Sequence, residues 1–381
     1  MPHDIKNILH FIIIFQCLIF SFYLLTQKNN RWLSNIILAA FLLSKAFSEV
    51  GGVLAHFGAL RSYVISHFPH LCYIDFPFHY VYVPVLFLYI LSFTKMGFKF
   101  KKVYLLHFTP FIFFCILIIL KLHINSADTI REILQTGSRF DSFEDQLFYF
   151  LEYLQFFSYA IASLIVLKKY RIEIKNIYST IEHINLSWLN FVIFGFIGWK
   201  SLIVLEYVLW IITENMSVIF LYISAEVVFL IFVSLMFFKG LKQPEIFSGT
   251  NENQFKRKYE KTLLPDAIKR DYKNKLIRYV ETKKPYLDPS LSLNDLAEKV
   301  SIPPHHLSQI LNSCLNQNFF DFINSYRIKE SKRLLSEQSS DKKTILEILY
   351  ETGFNSKSVF NTAFKKHTGM TPTQFRQLQN S

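Results

Sequence analysis

Two kinds of hydrophobic pattern divide this chain. From Ile8 to Phe238 apolar residues run in long stretches, whereas after Leu264 they recur at spacings of three and four, as on one buried face of a soluble helix. Crossing about 30 Å of hydrocarbon at about 1.5 Å of rise per residue takes about 20 apolar residues. Seven stretches meet that requirement: 8–25, 34–56, 71–93, 103–121, 146–167, 188–210 and 217–238. The first lacks a small-residue cleavage site and reads as a retained helix. The third carries Pro77 and Pro84, so a kink is expected there. The expected fold class is all-α. A seven-helix transmembrane bundle is expected over 1–240, a basic juxtamembrane linker over 241–264 and a soluble helical domain over 265–381.

Composition agrees with that division. The chain is 51% hydrophobic, with 41 Phe and 20 Tyr, yet its formal charge is +12. A chain both apolar and basic points to a membrane together with an anionic partner, either lipid headgroups or nucleic acid. Cys17, Cys72, Cys115 and Cys314 are scattered without ligand spacing, so neither a metal site nor a disulfide framework is expected, and no cofactor is called for.

Basic loops stay on the cytoplasmic side of a membrane and set its topology. Lys28 and Arg31 follow the first stretch, Lys95, Lys99, Lys101 and Lys102 the third, and Lys168, Lys169, Arg171 and Lys175 the fifth. The loop after the fourth is acidic instead, with Asp128, Glu132, Asp141, Glu144 and Asp145 against Arg131 and Arg139; the loop after the sixth holds Glu214. The N-terminus is therefore expected outside. Lys239 and Lys242 then place the C-terminal domain in the cytoplasm, with the chain multi-pass in its membrane.

Ionisable residues within such stretches are costly, and mark either helix pairing or a functional path. Here they are Lys45, Glu49, Asp75, His79, Glu152, Lys200, Glu206 and Glu226. On one reading the lysines pair with carboxylates and hold the bundle together. On the other, the residues line an outward-facing pocket that senses an unknown small ligand or ion. Beyond the last stretch, Lys256, Arg257, Lys258 and Lys261 form a polybasic run suited to anionic headgroups. Pro265 then opens a helix whose Ile268, Tyr272, Leu276, Tyr279 and Val280 form a stripe that would dock on the C-terminal domain.

The last third repeats one plan twice, over about 291–315 and 344–367. Ser292 with Asp295, and later Thr344 with Glu347, have capping-box spacing. Each opens a short helix, then a turn marked by Pro303 and Pro304 or by Gly353, then a second helix. In the first module that helix buries Leu307, Ile310 and Leu311, which leaves His305, His306, Ser308, Gln309 and Asn312 outside. In the second, Ser356 is expected to cap it and Val359, Phe360, Ala363 and Phe364 to be buried. Lys357, Ser358, Asn361, Thr362, Lys365 and Lys366 then face out. A long helix from Phe319 to about Leu335 joins the modules. Gln and Asn can pair with base edges, while lysines fix phosphates.

The stretches LSLNDLAEKVSIPPHHLSQIL, FFDFINSYRIKESKRLL and ILEILYETGFNSKSVFNTAFKKHTGMTPTQFR resemble the DNA-binding domain of AraC/XylS-type bacterial transcription regulators. The resemblance covers about a quarter of the chain. It implies two helix-turn-helix modules on one linking helix, entering successive major grooves on one face of DNA. Asn316 stands where the family usually has Gly, Ser331 and Leu349 where it has Ala, and Thr362 where an Arg is frequent. The resulting expectation is a membrane-embedded one-component transcription regulator, multi-pass in a bacterial cytoplasmic (inner) membrane, not an enzyme. Its expected partners are double-stranded DNA, the lipid bilayer, an unknown ligand or ion, a second copy of the chain and RNA polymerase. The alternative is a transporter or channel carrying a fused regulatory DNA-binding domain.

Overall fold

In a computed structural model, residues 2–27, 32–56, 58–95, 98–136, 143–181, 184, 186–213, 218–242, 264–337 and 343–380 are described. Their regular structure is helical, with one isolated antiparallel bridge between Tyr178 and Ser292. The chain divides into two compact units. One comprises 1–167 and 187–255, the other 168–186 and 256–381. The second unit thus takes in a segment from between the fifth and sixth apolar stretches, which sequence order alone assigns to the first.

In the first unit α1 (Pro2–Thr26), α2 (Trp32–His56) and α3 (Gly58–His67) are followed by two 3₁₀ turns, Pro69–Tyr73 and Phe76–Tyr80, and by α4 (Tyr82–Thr94). A third 3₁₀ segment, Lys102–Phe108, runs into α5 (Thr109–Ile124); α6 (Ala127–Thr136), α7 (Phe143–Lys175), α8 (Ser187–Thr213) and α9 (Ile219–Lys242) complete the apolar part. Among the described residues seven helical stretches are long and apolar enough to cross a membrane: Ile5–Thr26, Trp32–Leu54, Pro69–Thr94, Lys102–Ile124, Gln146–Lys175, Ser187–Thr213 and Ile219–Phe238. They coincide with the seven read from the sequence. The third is not one bent α-helix. Its first half is 3₁₀ structure, and the α-helix begins at Tyr82. Pro77 lacks an amide hydrogen, so it falls in the 3₁₀ segment, and Pro84 sits in the first turn of α4, where no intrahelical donor is required. Lys28, Arg31 and the polybasic run Lys256–Lys261 lie outside the described residues.

The second unit contains α10 (Asp266–Lys283), α11 (Leu293–Val300), α12 (Pro304–Cys314), α13 (Phe319–Ser336), α14 (Ile345–Glu351), α15 (Lys357–Thr368) and α16 (Pro372–Asn380). Leu276 and Val280 of α10 are fully buried and Tyr272 and Tyr279 partly so, but Ile268 at the start of the same stripe is 40% exposed. Two apolar cores share α13. Phe319, Phe322 and Ile323 close the first with Leu296, Val300, Leu307 and Leu311. Ile328 and Leu335 close the second with Ile348, Leu349, Phe360 and Phe364. Ser331 and Leu349 are both buried, Leu349 in the second core, and Ser331 Oγ donates to Arg327 O at 2.7 Å and to Thr352 Oγ1 at 3.0 Å.

Asn316 adopts φ +52° and Gly353 φ +84°. The two positions differ in kind. A Cβ on Gly353 would stand 2.6 Å from the Tyr286 carbonyl oxygen and 2.8 Å from that of Leu287. Gly353→Ala is therefore expected to destabilise the second unit by roughly 1–3 kcal/mol from backbone strain alone, with the steric overlap adding to it. Asn316→Gly should be neutral or mildly stabilising. Amide hydrogen exchange across α14 and α15 in the full chain reads this directly; unchanged protection in Gly353→Ala would refute it.

Candidate nucleic-acid interface and polar cluster

Each module is assembled by local chemistry. In the first, the Ser292 amide donates to Asp295 Oδ2 at 2.9 Å and the Asp295 amide to Ser292 Oγ at 3.2 Å, so the capping box at α11 is complete. Ser301 takes φ +50° to end α11, and Pro304 is the first residue of α12. Leu307, Ile310 and Leu311 are buried, while Ser308, Gln309 and Asn312 lie on the side of α12 turned from the core. Asn312 Nδ2 donates to Ser308 O at 2.9 Å, and the neighbouring Ser313 is also exposed. The two histidines are placed differently from those residues. His306 lies 6.1 Å from the Tyr272 ring of α10 and 3.9 Å from His305. Burial, and secondarily His305, hold its pKa below the usual histidine value. His306 is thus turned towards α10 and not only outward.

In the second module the Thr344 amide donates to Glu347 Oε2 at 2.6 Å and the Glu347 amide to Thr344 Oγ1 at 3.1 Å. Ser356 occupies the N-cap position of α15, but its hydroxyl makes no capping hydrogen bond, against the sequence expectation. The helix is held by its aromatic face instead. Phe360 lies 5.2 Å from Phe354 and 5.7 Å from Phe364, which in turn lies 5.5 Å from Phe375 of α16. Lys357, Ser358, Thr362, Lys365 and Lys366 are exposed and Asn361 half-buried, all on one helix. Lys365, Lys366 and His367 stand in its last turn, where the helix dipole favours cations.

Lys366 has a partner that the sequence did not announce: its Nζ lies 2.8 Å from Asp321 Oδ1 in the first turn of α13. Burial would raise the Asp321 pKa, but the Lys366 hydrogen bond and charge, with help from Asn318 and Lys175, hold it below the usual carboxylate value. At 62% exposure Lys366 can exchange this carboxylate for a phosphate.

The ionisable residues of the apolar unit form two linked groups. In one, Glu49 accepts from Lys45 one turn before it and lies 2.5 Å from His10 Nδ1. In the other, Glu152 Oε1 accepts from Lys200 at 2.6 Å and from the Tyr82 hydroxyl at 2.7 Å, and His79 Nδ1 stands 4.0 Å away. His79 is also 4.0 Å from Asp75. Trp199 lies between the groups, its ring 4.5 Å from Lys45 Nζ and 5.4 Å from Lys200 Nζ. Glycines on α2 make room for this cluster: a Cβ on Gly51 would overlap the Asp75 carboxylate, and one on Gly52 the His10 ring. Glu226 is buried at 2% exposure, and its Oε2 has no hydrogen-bond partner among the described residues. Glu206 is half-buried. His10, a member of the cluster, escaped the sequence reading. Among the described residues no group of His, Cys, Asp or Glu is placed to hold a metal ion.

Known proteins share the C-terminal part of this sequence. Residues 296–378 match the family described as "Helix-turn-helix domain". The chain is 34% identical over 91 residues to the melibiose operon regulatory protein of Escherichia coli, covering 24% of this chain and 29% of that one. It is 33% identical over 93 residues to the Msm operon regulatory protein of Streptococcus mutans, covering 24% and 32%. The chain therefore spans about a third or less of these relatives' own length. Among solved structures, the C-terminal domain of AraT, a response regulator from Geobacillus stearothermophilus, is 26% identical and covers 31% of this chain and 88% of that one, with a TM-score of 0.24. The C-terminal region of the chain, with its two capped modules on one linking helix, carries an AraC-type helix-turn-helix domain.

Proposed function

We propose that the chain is a membrane-embedded one-component transcription regulator that binds promoter DNA sequence-specifically through twin helix-turn-helix modules, under control of a signal sensed in or outside the membrane. The observation that carries this reading is the union, in one chain, of two capped modules on a common α13 and seven helices apolar enough to cross a bilayer. Large apolar side chains exposed on the first unit support a lipid environment: Phe22 is 72% exposed, Ile119 65% and Ile165 62%, a surface that water penalises and hydrocarbon accepts. On this reading α12 and α15 enter successive major grooves about 34–36 Å apart. A second copy of the chain in the same membrane would raise the effective concentration at a paired site, and RNA polymerase is the partner through which occupancy becomes transcription.

Within the interface, Gln309 and Asn361 are assigned to base edges, with Ser308, Asn312, Ser358 and Thr362 beside them. Lys357, Lys365 and Lys366 are assigned to phosphates, and His305 and His306 to the flank of the first module. The pairing of Lys45 with Glu49 and of Lys200 with Glu152 supports a structural role for those four residues. We assign sensing to the same cluster through Glu226, whose carboxylate is buried short of partners.

Two outcomes are expected. In gel-shift titrations of the full chain in nanodiscs, Lys365→Ala with Lys366→Ala weakens binding to all duplexes alike and lowers the slope of log K against log salt by roughly two. Gln309→Ala or Asn361→Ala instead costs about 1–3 kcal/mol on the preferred sequence only. Identical behaviour of the two sets would defeat the assignment. In cells, Glu152→Gln or Glu226→Gln changes output from the target promoter while the protein still inserts in the membrane; output unmoved by either change would leave the cluster purely structural.

A further inference from the structure

Residues 168–186 comprise the last turns of the fifth apolar helix, which ends at Lys175, and the connection to the sixth at Ser187, yet belong to the DNA-binding unit. Their contacts there are of two kinds. The first is a backbone bridge to the entry of the first module: the Ser179 amide donates to Leu291 O at 3.3 Å, and the Leu293 amide donates to Ile177 O at 2.8 Å. Ser179 Oγ donates to Leu291 O as well, at 2.6 Å. The bridge brackets Ser292, the residue that caps α11.

The second is a buried guanidinium. Arg327 of α13 is 1% exposed. Its Nη1 donates to Ser179 O at 3.2 Å and Thr180 Oγ1 at 3.3 Å, and its Nη2 donates to Ser179 Oγ at 3.2 Å. From within 256–381 the guanidinium also donates to Tyr286 O at 2.7 Å, Asp288 O at 2.8 Å and Asn324 Oδ1 at 3.4 Å. Burying a cation costs several kcal/mol unless its donors are met, and Ser179 and Thr180 accept from both terminal nitrogens of the guanidinium. Elsewhere in the segment Ile174 is fully buried, Tyr170 is 8% exposed and Lys175 Nζ lies 5.8 Å from the Phe320 ring of α13.

We propose that the surface formed by Leu291–Leu293 and Arg327 is a docking site whose occupant is this chain's own 168–186 segment. The DNA-binding unit is thereby held by two strands of chain, not by the linker alone. The inference rests on the membrane reading above and deepens its regulation. The segment leaves α7 at Lys175 and reaches α8 at Ser187, so a displacement of either helix is delivered to Ser179, to the cap of the first module and to the pivot between modules.

The test uses the full chain in inverted membrane vesicles, with a protease site placed between Lys261 and Leu264 so that the polybasic run stays on the membrane side. After cleavage and a high-salt wash, the C-terminal piece is expected to remain with the vesicles. Ser179→Pro, which removes the amide and hydroxyl donors to Leu291 and the hydroxyl acceptor of Arg327, is expected to speed its release by about tenfold or more. Ser179→Ala, which leaves the backbone bridge in place, should give an intermediate rate. Release of the wild-type piece at the rate of Ser179→Pro would overturn the proposal. Failure of the membrane reading would look different, because the uncleaved chain would then be absent from the vesicle pellet.

Discussion

Arg327 carries its charge where water reaches 1% of its surface, and a charge so placed persists only if its donors are met. Meeting them draws together parts of the chain far apart in sequence: the carbonyls of Tyr286 and Asp288 after α10, the Ser179–Thr180 segment 147 or 148 residues upstream, and Phe354 of the second module, whose ring lies 5.6 Å from the guanidinium. The two apolar cores meet around this point, since α13 contributes Ile323 to one and Ile328 to the other. Nearby, the Tyr286 and Leu287 carbonyls come so close to Gly353 that no side chain fits there. Arg327 thus joins, at one point of α13, the entry of the first module, the Ser179–Thr180 segment and Phe354 of the second module.

The same constraint governs the apolar unit. Lys45 and Lys200 are each paired with a carboxylate and each lie near the Trp199 ring, so the cost of burying them is offset by charge, hydrogen bonds and cation–π contact. The network ties α1, α2, α4, α7 and α8 through His10, Glu49, Tyr82, Glu152 and Lys200. Among its members α7 also supplies residues 168–175 to the DNA-binding unit.

The range of the physics involved decides which features were legible in the sequence. Both capping boxes, Pro304 at the start of α12 and the left-handed Asn316 and Gly353 depend on residues within a few positions, and all were readable. The seven apolar stretches were readable because length and apolarity are local sums. Features depending on distant partners were not. Lys168, Lys169, Arg171 and Lys175 stand out only as loop charge, and nothing near them announces Arg327. The Lys366–Asp321 pair spans 45 residues and the His10–Glu49 contact 39. Arg327 did leave one trace, since it falls four residues after Ile323 and four before Ser331 on the buried stripe of α13. A cation on an apolar stripe calls for a polar partner. Ser356 makes no cap hydrogen bond where the local pattern favours one, while Phe354, Phe360 and Phe364 pack α15 into the second core.

Twin modules reading one face of a duplex from a membrane are the central claim. Hydroxyl-radical footprinting of the full chain in nanodiscs on DNA selected by that chain, with heparin as competitor, examines it most directly. Two protected patches are predicted on the same face, about one helical turn or 34–36 Å between centres. A single patch, or protection that heparin removes uniformly, would contradict the claim.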